Sequence, residues 1–331
     1  MPDWPRQGRS RYSVRLFLRI ASAFAATVLL LGIAEAAAQQ ASAKAARVAV
    51  VISDLSNPFF SQISREVEAA VASTEPSATV SVMSSGYDLA RQLSQIDAVV
   101  EQGYDLLIVN AVDTDKIARA LERAKSAGVI VVALDVKATG AQLTVTSDNL
   151  RAGKIACDYL AARLGGRGDV VVLNGPPVSA VRDRVIGCKS ALSSHPGIRL
   201  LSAEGNSGGS MLGGLTYMSA LLARLPHVDA VFSVNDPAAL GANEAARQAG
   251  REEFFIVSID ASPAAVHAMR QPGSRLVASV YQDPRAMAYR AVQMAFALRA
   301  GENVSSEPVL MPVELVTRET MDGFAPWGVS P

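Results

Sequence analysis

The chain has 331 residues, half of them apolar and 19% charged, enough to bury two cores of ordinary size. Its 31 Lys plus Arg balance 31 Asp plus Glu, and no basic stripe with interleaved aromatics occurs. That excludes the electrostatic footprint of a nucleic-acid binder and points to a neutral or small partner.

At the N-terminus Arg6, Arg9, Arg11, Arg15 and Arg19 precede an apolar run from Ile20 to Ile33 and then AEAAAQQASA. A basic region, a short apolar region and small residues at Ala36 and Ala38 form the layout of a secretory signal peptide over 1–38, cleaved after Ala38 or, failing that, Ala43. The competing reading, an uncleaved anchor, is disfavoured because the run is shorter than the ~20 residues a bilayer core needs. No cysteine sits in the cleavage region, which argues against a lipid anchor.

Beyond Ala43, short Val/Ile-rich runs alternate with longer amphipathic ones. RVAVVIS leads to a helix from about Pro58 to Ala72, ATVSVM to one over Leu89 to Gln102, and DLLIVN to one over Thr114 to Ser126, followed by GVIVVALD. TVTSDN reads as a crossing segment, after which the series restarts with a helix from Asp148 to Leu164 and the strand DVVVLN. A helix over Val181 to Ser193, IRLLSAEG, a helix over Ser210 to Arg224 and DAVFSVN come next. Helices over Pro237 to Gln248 and Pro263 to Arg270 flank FFIVSID, and RLVASVY follows. Such alternation predicts an α/β chain with two doubly wound parallel-sheet domains.

The two series align with each other: YDLLIVNAVDTDKIARALERAKSAGVIVVALD matches VDAVFSVNDPAALGANEAARQAGREEFFIVSID with almost no gap. Asn110 and Asp135 are twenty-five residues apart, as are Asn235 and Asp260, and in each copy the Asn closes one strand and the Asp the next. Turn chemistry alone can place Asn or Asp at strand ends. A duplicated domain goes further, putting polar groups at equivalent carboxyl ends, where open α/β sheets bind ligands.

The strand ends and the turns beside them gather Ser53, Asn57, Phe59, Phe60, Asn110, Asp135, Arg184, Asn235, Asp260 and Gln282. Amides, carboxylates and a guanidinium exchange hydrogen bonds with hydroxyls, and phenyl rings cover the C–H faces of a sugar. A few placed polar groups among apolar walls is the make-up of a small-molecule site. Pro58 suits the first turn of a helix, leaving Asn57 in the turn before it. Catalysis is not indicated: no dinucleotide, P-loop or nucleophile-elbow motif occurs. Asp135 and Asp260 resemble a glycosidase pair only in being two carboxylates, since nothing marks an activated water. His195, His227 and His267 are scattered, so neither a metal site nor a cofactor is expected. Cys157 and Cys188 fall in helical patterns; an exported pair can form a disulfide, and two buried thiols are the other reading.

These residues fall in an ordered set of motifs: SDLSNPFF, DLLIVNAVDTDKI, VVALD, SDNLRAGKIACDYL, AVRDRVIGC, AVFSVNDPAALGA, IVSIDASP and VASVYQDP. With them the chain resembles the periplasmic ribose-binding proteins and their relatives, the sugar-binding components of bacterial ABC importers, from about Ala46 to Arg318. The resemblance implies two lobes joined by a three-strand hinge, with crossings near Ser147, Gln282 and the Glu302 to Glu307 turn. The lobes would be 44–147 plus 283–305 and 148–282 plus 306–321, with a tail over 322–331. It implies ligand contacts at Asn57, Phe59, Phe60, Asp135, Arg184, Asn235, Asp260 and Gln282, with Ser53 and Asn110 secondary. It also implies a periplasmic monomer that hands a small sugar or polyol to a membrane permease and its ATPase. Two departures put ribose itself in doubt: the family pattern has an arginine where Val136 stands, and a phenylalanine within NSGGSM, near Gly209. A pentose, a sugar alcohol or a cyclitol fits the remainder, with Met211 or Tyr281 as candidates to fill the vacated space. A chemoreceptor or sensor-kinase partner is the alternative to a transporter. A lactose-repressor-type regulator shares the fold core but needs a DNA-binding head that the signal-peptide reading leaves no room for.

Overall fold

The computed structural model describes residues 45–328, so the proposed signal peptide lies outside the described residues. The first sheet contains β1 (Arg47–Ile52), β2 (Thr79–Ser84), β3 (Leu106–Val109), β4 (Ile130–Leu134), β5 (Leu143–Ser147) and β11 (Val309–Met311). Its order is β11-β5-β4-β3-β1-β2, parallel throughout. The second contains β6 (Arg167–Leu173), β7 (Gly197–Ser202), β8 (Ala230–Ser233), β9 (Phe255–Asp260), β10 (Leu276–Tyr281) and β12 (Glu314–Thr317). Its order, β12-β10-β9-β8-β6-β7, repeats the first, with only β12 antiparallel. The inner strands are near-continuous apolar runs because helices cover both faces of each sheet.

Nine helices among the described residues supply those covers: α1 (Pro58–Thr74), α2 (Leu89–Glu101), α3 (Ala118–Ser126), α4 (Asn149–Arg163), α5 (Ser179–Ser193), α6 (Met211–Leu222), α7 (Asp236–Ala249), α8 (Pro263–Arg270) and α9 (Pro284–Arg299). Most begin at a side-chain cap. Asn57 accepts from the Phe59 amide, Asp88 from Arg91, Asp148 from Arg151 and Asp283 from Ala286, each satisfying an otherwise orphaned first-turn donor. The third helix starts later than the sequence predicts. The Asp113 carboxylate accepts the Asp115 and Lys116 amides and holds that segment as a turn.

One core packs α1 and α9 against the first sheet; another packs α6, α7 and α8 against the second. Helices α4 and α5 approach unusually closely. A Cβ built on Gly153 would lie 1.9 Å from the Arg184 carbonyl oxygen, and one on Gly187 2.0 Å from that of Leu150. Only glycine permits that contact, and the Cys157–Cys188 disulfide locks it, with Cα atoms 5.0 Å apart. This fixed pair aims Arg184 at the space between the sheets.

The chain crosses between lobes after β5, after β10, and between β11 and β12. The third crossing corrects the expectation of a Glu302 to Glu307 hinge and, within residues 306–321 assigned to the second lobe, the placement of 309–311; Glu314–Thr317 does pair with β10 in the second sheet. Val309–Met311 pairs with β5 in the first sheet, so the crossing is at Pro312–Val313. The segment hides this in sequence, since its strands are three and four residues long and the first is bracketed by Pro308 and Pro312.

Candidate functional site

The carboxyl ends of β1, β3, β4, β8 and β9, with α5 and the segment after β10, surround one cavity of about 500 Å³, counting its open side. Every predicted contact lines it: Asn57, Phe59, Phe60, Asp135, Arg184, Asn235, Asp260 and Gln282, with Ser53 and Asn110. Three contacts between the lobes draw its rim together. The Lys137 amide donates to Ser179 Oγ (2.8 Å), the Ser179 amide to Thr114 Oγ1 (3.2 Å), and Lys137 Nζ meets Asp183 at 3.1 Å.

On the first-lobe side, Asn110 Nδ2 donates to Asp135 Oδ2 at 3.1 Å, and Ser53 Oγ donates to the Asn110 carbonyl at 3.0 Å. Asp135 is 4% exposed and its other oxygen, Oδ1, has no hydrogen-bond partner. Burial pushes its carboxyl up to about 6, against the pull of Arg184 and Asn110.

On the second-lobe side, Arg184 is 5% exposed. Its Nε donates to Asn149 Oδ1, Nη1 to the Val234 carbonyl and Nη2 to Gln282 Oε1, each at 2.8 Å. Gln282 Nε2 in turn donates to Asp260 Oδ1 at 2.7 Å, so Gln282 bridges Arg184 and Asp260. Asn235 caps α7 and donates through Nδ2 to the Gly209 carbonyl at 2.8 Å.

Behind Asp260 lies a group that sequence reading missed. The buried Asp236 carboxylate accepts from Ser258, Ser279 and the Ser262 amide. Burial foremost, then the Asp236 charge, push the Asp260 carboxyl up to about 8, with Arg184 opposing. Asp135 and Asp260 also both have positive φ, 69° and 129°, which costs non-glycine residues energy and marks positions held by their surroundings.

The Asp260 shift makes stability depend on pH with a definite sign. Its unfolded pKa is about 3.9, so the stability held by the neutral form is complete below that and is lost as pH rises through about 8. Asp135 acts in the same direction, up to about 6. The melting temperature is expected to fall between about pH 5 and pH 8, and Asp260→Asn to flatten that fall. An unchanged slope in the variant would refute the assignment.

The walls differ from expectation. Tyr87, φ 56°, lines the cavity beside Phe60, ring centroids 6.5 Å apart. It follows β2, a strand end on the same side as the others, which is the signal that could have found it. Beside Gly209 stand Asn235 and Pro176, 3.2 and 3.4 Å from a Cβ built there, and neither Met211 nor Tyr281 lines this cavity. Met211 stands half-exposed in an outer chamber, and Tyr281 packs edge-on against Phe324. The tail is also part of the site. Trp327 is 9% exposed, lies edge-on to Phe59 at 6.0 Å and donates through Nε1 to the Asp260 carbonyl at 3.2 Å.

A duplicated α/β core with a cavity between its halves is matched at the level of sequence family as well. A model described as a periplasmic binding protein domain matches residues 48–303. The chain belongs to that family. The ribose import binding protein of Escherichia coli is 31% identical to this periplasmic binding protein over 271 residues, 81% of this chain and 88% of its own length. The xylitol-binding protein of Mycolicibacterium smegmatis is 30% identical over 244 residues, 72% of this chain and 68% of its own. An ABC transporter solute binding protein from Bacillus halodurans, solved with bound myo-inositol, superposes with a TM-score of 0.78 at 25% identity, covering 84% of this chain and 96% of that one.

Proposed function

We propose that this periplasmic binding protein captures a small polyhydroxy ligand, a pentose, sugar alcohol or cyclitol, between its lobes and delivers it to an ABC transporter permease. The carrying observation is that buried Asp135 from one lobe and Arg184 and Asp260 from the other line one cavity with Phe59, Phe60 and Tyr87. Such groups hydrogen-bond hydroxyls while the rings cover C–H faces. A ligand bonded to both lobes binds the closed form better than the open one and shifts the population toward it. The closed outer surface is what the permease reads. Relatives named for ribose and xylitol, and a neighbour holding myo-inositol, support the ligand class. Export follows from the signal-peptide layout of 1–38, and the binding role assigns no catalysis to the chain.

A thermal-shift screen of residues 39–331 against aldopentoses, hexoses, pentitols, tetritols, inositols and nucleosides tests this, because a ligand of the native state raises the melting temperature by mass action. A clear rise with one polyhydroxy class supports the reading; no rise with any of them contradicts it. Trp327 supplies a second readout. With Trp4 in the signal segment it is the mature chain's single tryptophan, and it touches both Phe59 and Asp260. Its emission is expected to change on saturation with the screened ligand and the change to vanish in Trp327→Phe. Constant emission through a saturating titration would place the indole away from the moving cleft.

A further inference from the structure

Asp135 Oδ1 is a buried carboxylate oxygen without a hydrogen-bond partner in a residue that lines the cavity. The charges around it do not balance. Among the described residues lining the cavity, Arg184 is the one cation; Asp260 keeps its proton below about 8, so the negative charges set against Arg184 are Asp135 and, directly behind Asp260, the buried Asp236. Arg184 spends all three of its nitrogens on Asn149, Val234 and Gln282, and its closest carboxylate approach is 3.9 Å, to Asp260. Val136, next in the chain, is apolar, and Lys137 pairs with Asp183 at the rim. Tyr87 stays neutral, its hydroxyl pushed up to about 12, and Asp54 adds further negative charge in the outer chamber.

A ligand hydroxyl would give Oδ1 a hydrogen bond but leave the negative excess in place. An ammonium group would do both, carrying three donors and a positive charge into a site of low dielectric. Phe59, Phe60 and Tyr87 line the same cavity and offer ring faces that attract cations. We propose that the ligand this cleft takes most tightly carries a protonated primary amine, as in an amino sugar or aminocyclitol, with the ammonium against Asp135 Oδ1. This rests on the polyol reading and narrows it. It also fits the Asp135 carboxyl being lifted to about 6, since a cation there would draw it back down.

Calorimetric titration with matched pairs separates the two claims: D-glucose with D-glucosamine, D-galactose with D-galactosamine, and scyllo-inositol with scyllo-inosamine. At about pH 7 the amine in at least one pair is expected to bind more than about tenfold tighter, the gap closing as pH falls through about 6 and Asp135 takes up a proton. Asp135→Asn is expected to bring that pair within about threefold of each other. Neutral members that bind as tightly as their amines in every pair would overturn the amine claim and leave the polyol reading standing. An amine preference that survives in Asp135→Asn would overturn its placement at Asp135. No binding by any member, together with no thermal shift in the wider screen, would remove the polyol reading and this inference with it.

Discussion

Arg184→Ala is expected to abolish measurable ligand binding and to lower unfolding stability by about 3–5 kcal/mol. The guanidinium is buried, donates to three acceptors and is the cation facing Asp135 and Asp260. Truncation leaves the Asn149, Val234 and Gln282 oxygens unpaired and the Asp135 carboxylate uncompensated. Asp260 adds little to that cost at about pH 7, because its carboxyl, raised to about 8, already holds its proton there. Arg184→Lys separates the two contributions: it restores charge but not the planar fork, so it should recover stability more than affinity. Urea titration at about pH 7 with linear extrapolation measures the stability change. A midpoint equal to wild type would show that Arg184 does not organise the cleft.

Removing the Cys157–Cys188 bond, as the Cys157→Ala/Cys188→Ala pair or by reduction, is expected to cost about 3–4 kcal/mol. The bond closes a loop with a sequence separation of 31, and its absence returns that loop's entropy to the unfolded chain. The loss should be recovered in part at saturating ligand, because binding draws on the folded state alone. Identical urea midpoints with and without reductant would mean the sulfurs are not bonded in solution.

The sheets were legible because parallel strands covered on both faces leave long apolar runs, and because the spacing Asn110–Asp135 recurs as Asn235–Asp260. The repeat is less faithful in side-chain roles than in position. Asn110 donates to Asp135, whereas Asn235 caps a helix and holds Gly209, leaving the Asp236 amide to donate to Asp260. Strands β5, β11 and β12 escaped the reading. LTVTS looks like a connector, and VLM and ELVT are too short to show periodicity. The helix Pro284–Arg299 went unassigned although Asp283 before Pro284 is a clear start signal.

In the site, polar residues at strand ends could be found by position, since the fold repeats where a strand stops. Their partners could not. Asn149 reaches Arg184 across thirty-five residues, and Trp327 meets Asp260 across sixty-seven. Nothing local in APWGVSP marks its indole as part of a cleft; only the crossing at Pro312–Val313 and the turn at Phe324 bring it there.

A single ligand bonded to both lobes is expected to hold them in the closed arrangement. Small-angle X-ray scattering of the mature chain, with and without the compound that gives the largest thermal shift, tests it most directly. A smaller radius of gyration is expected at saturation, reached at the same ligand concentration as the thermal shift. Saturable binding with superimposable scattering curves would contradict closure by the ligand.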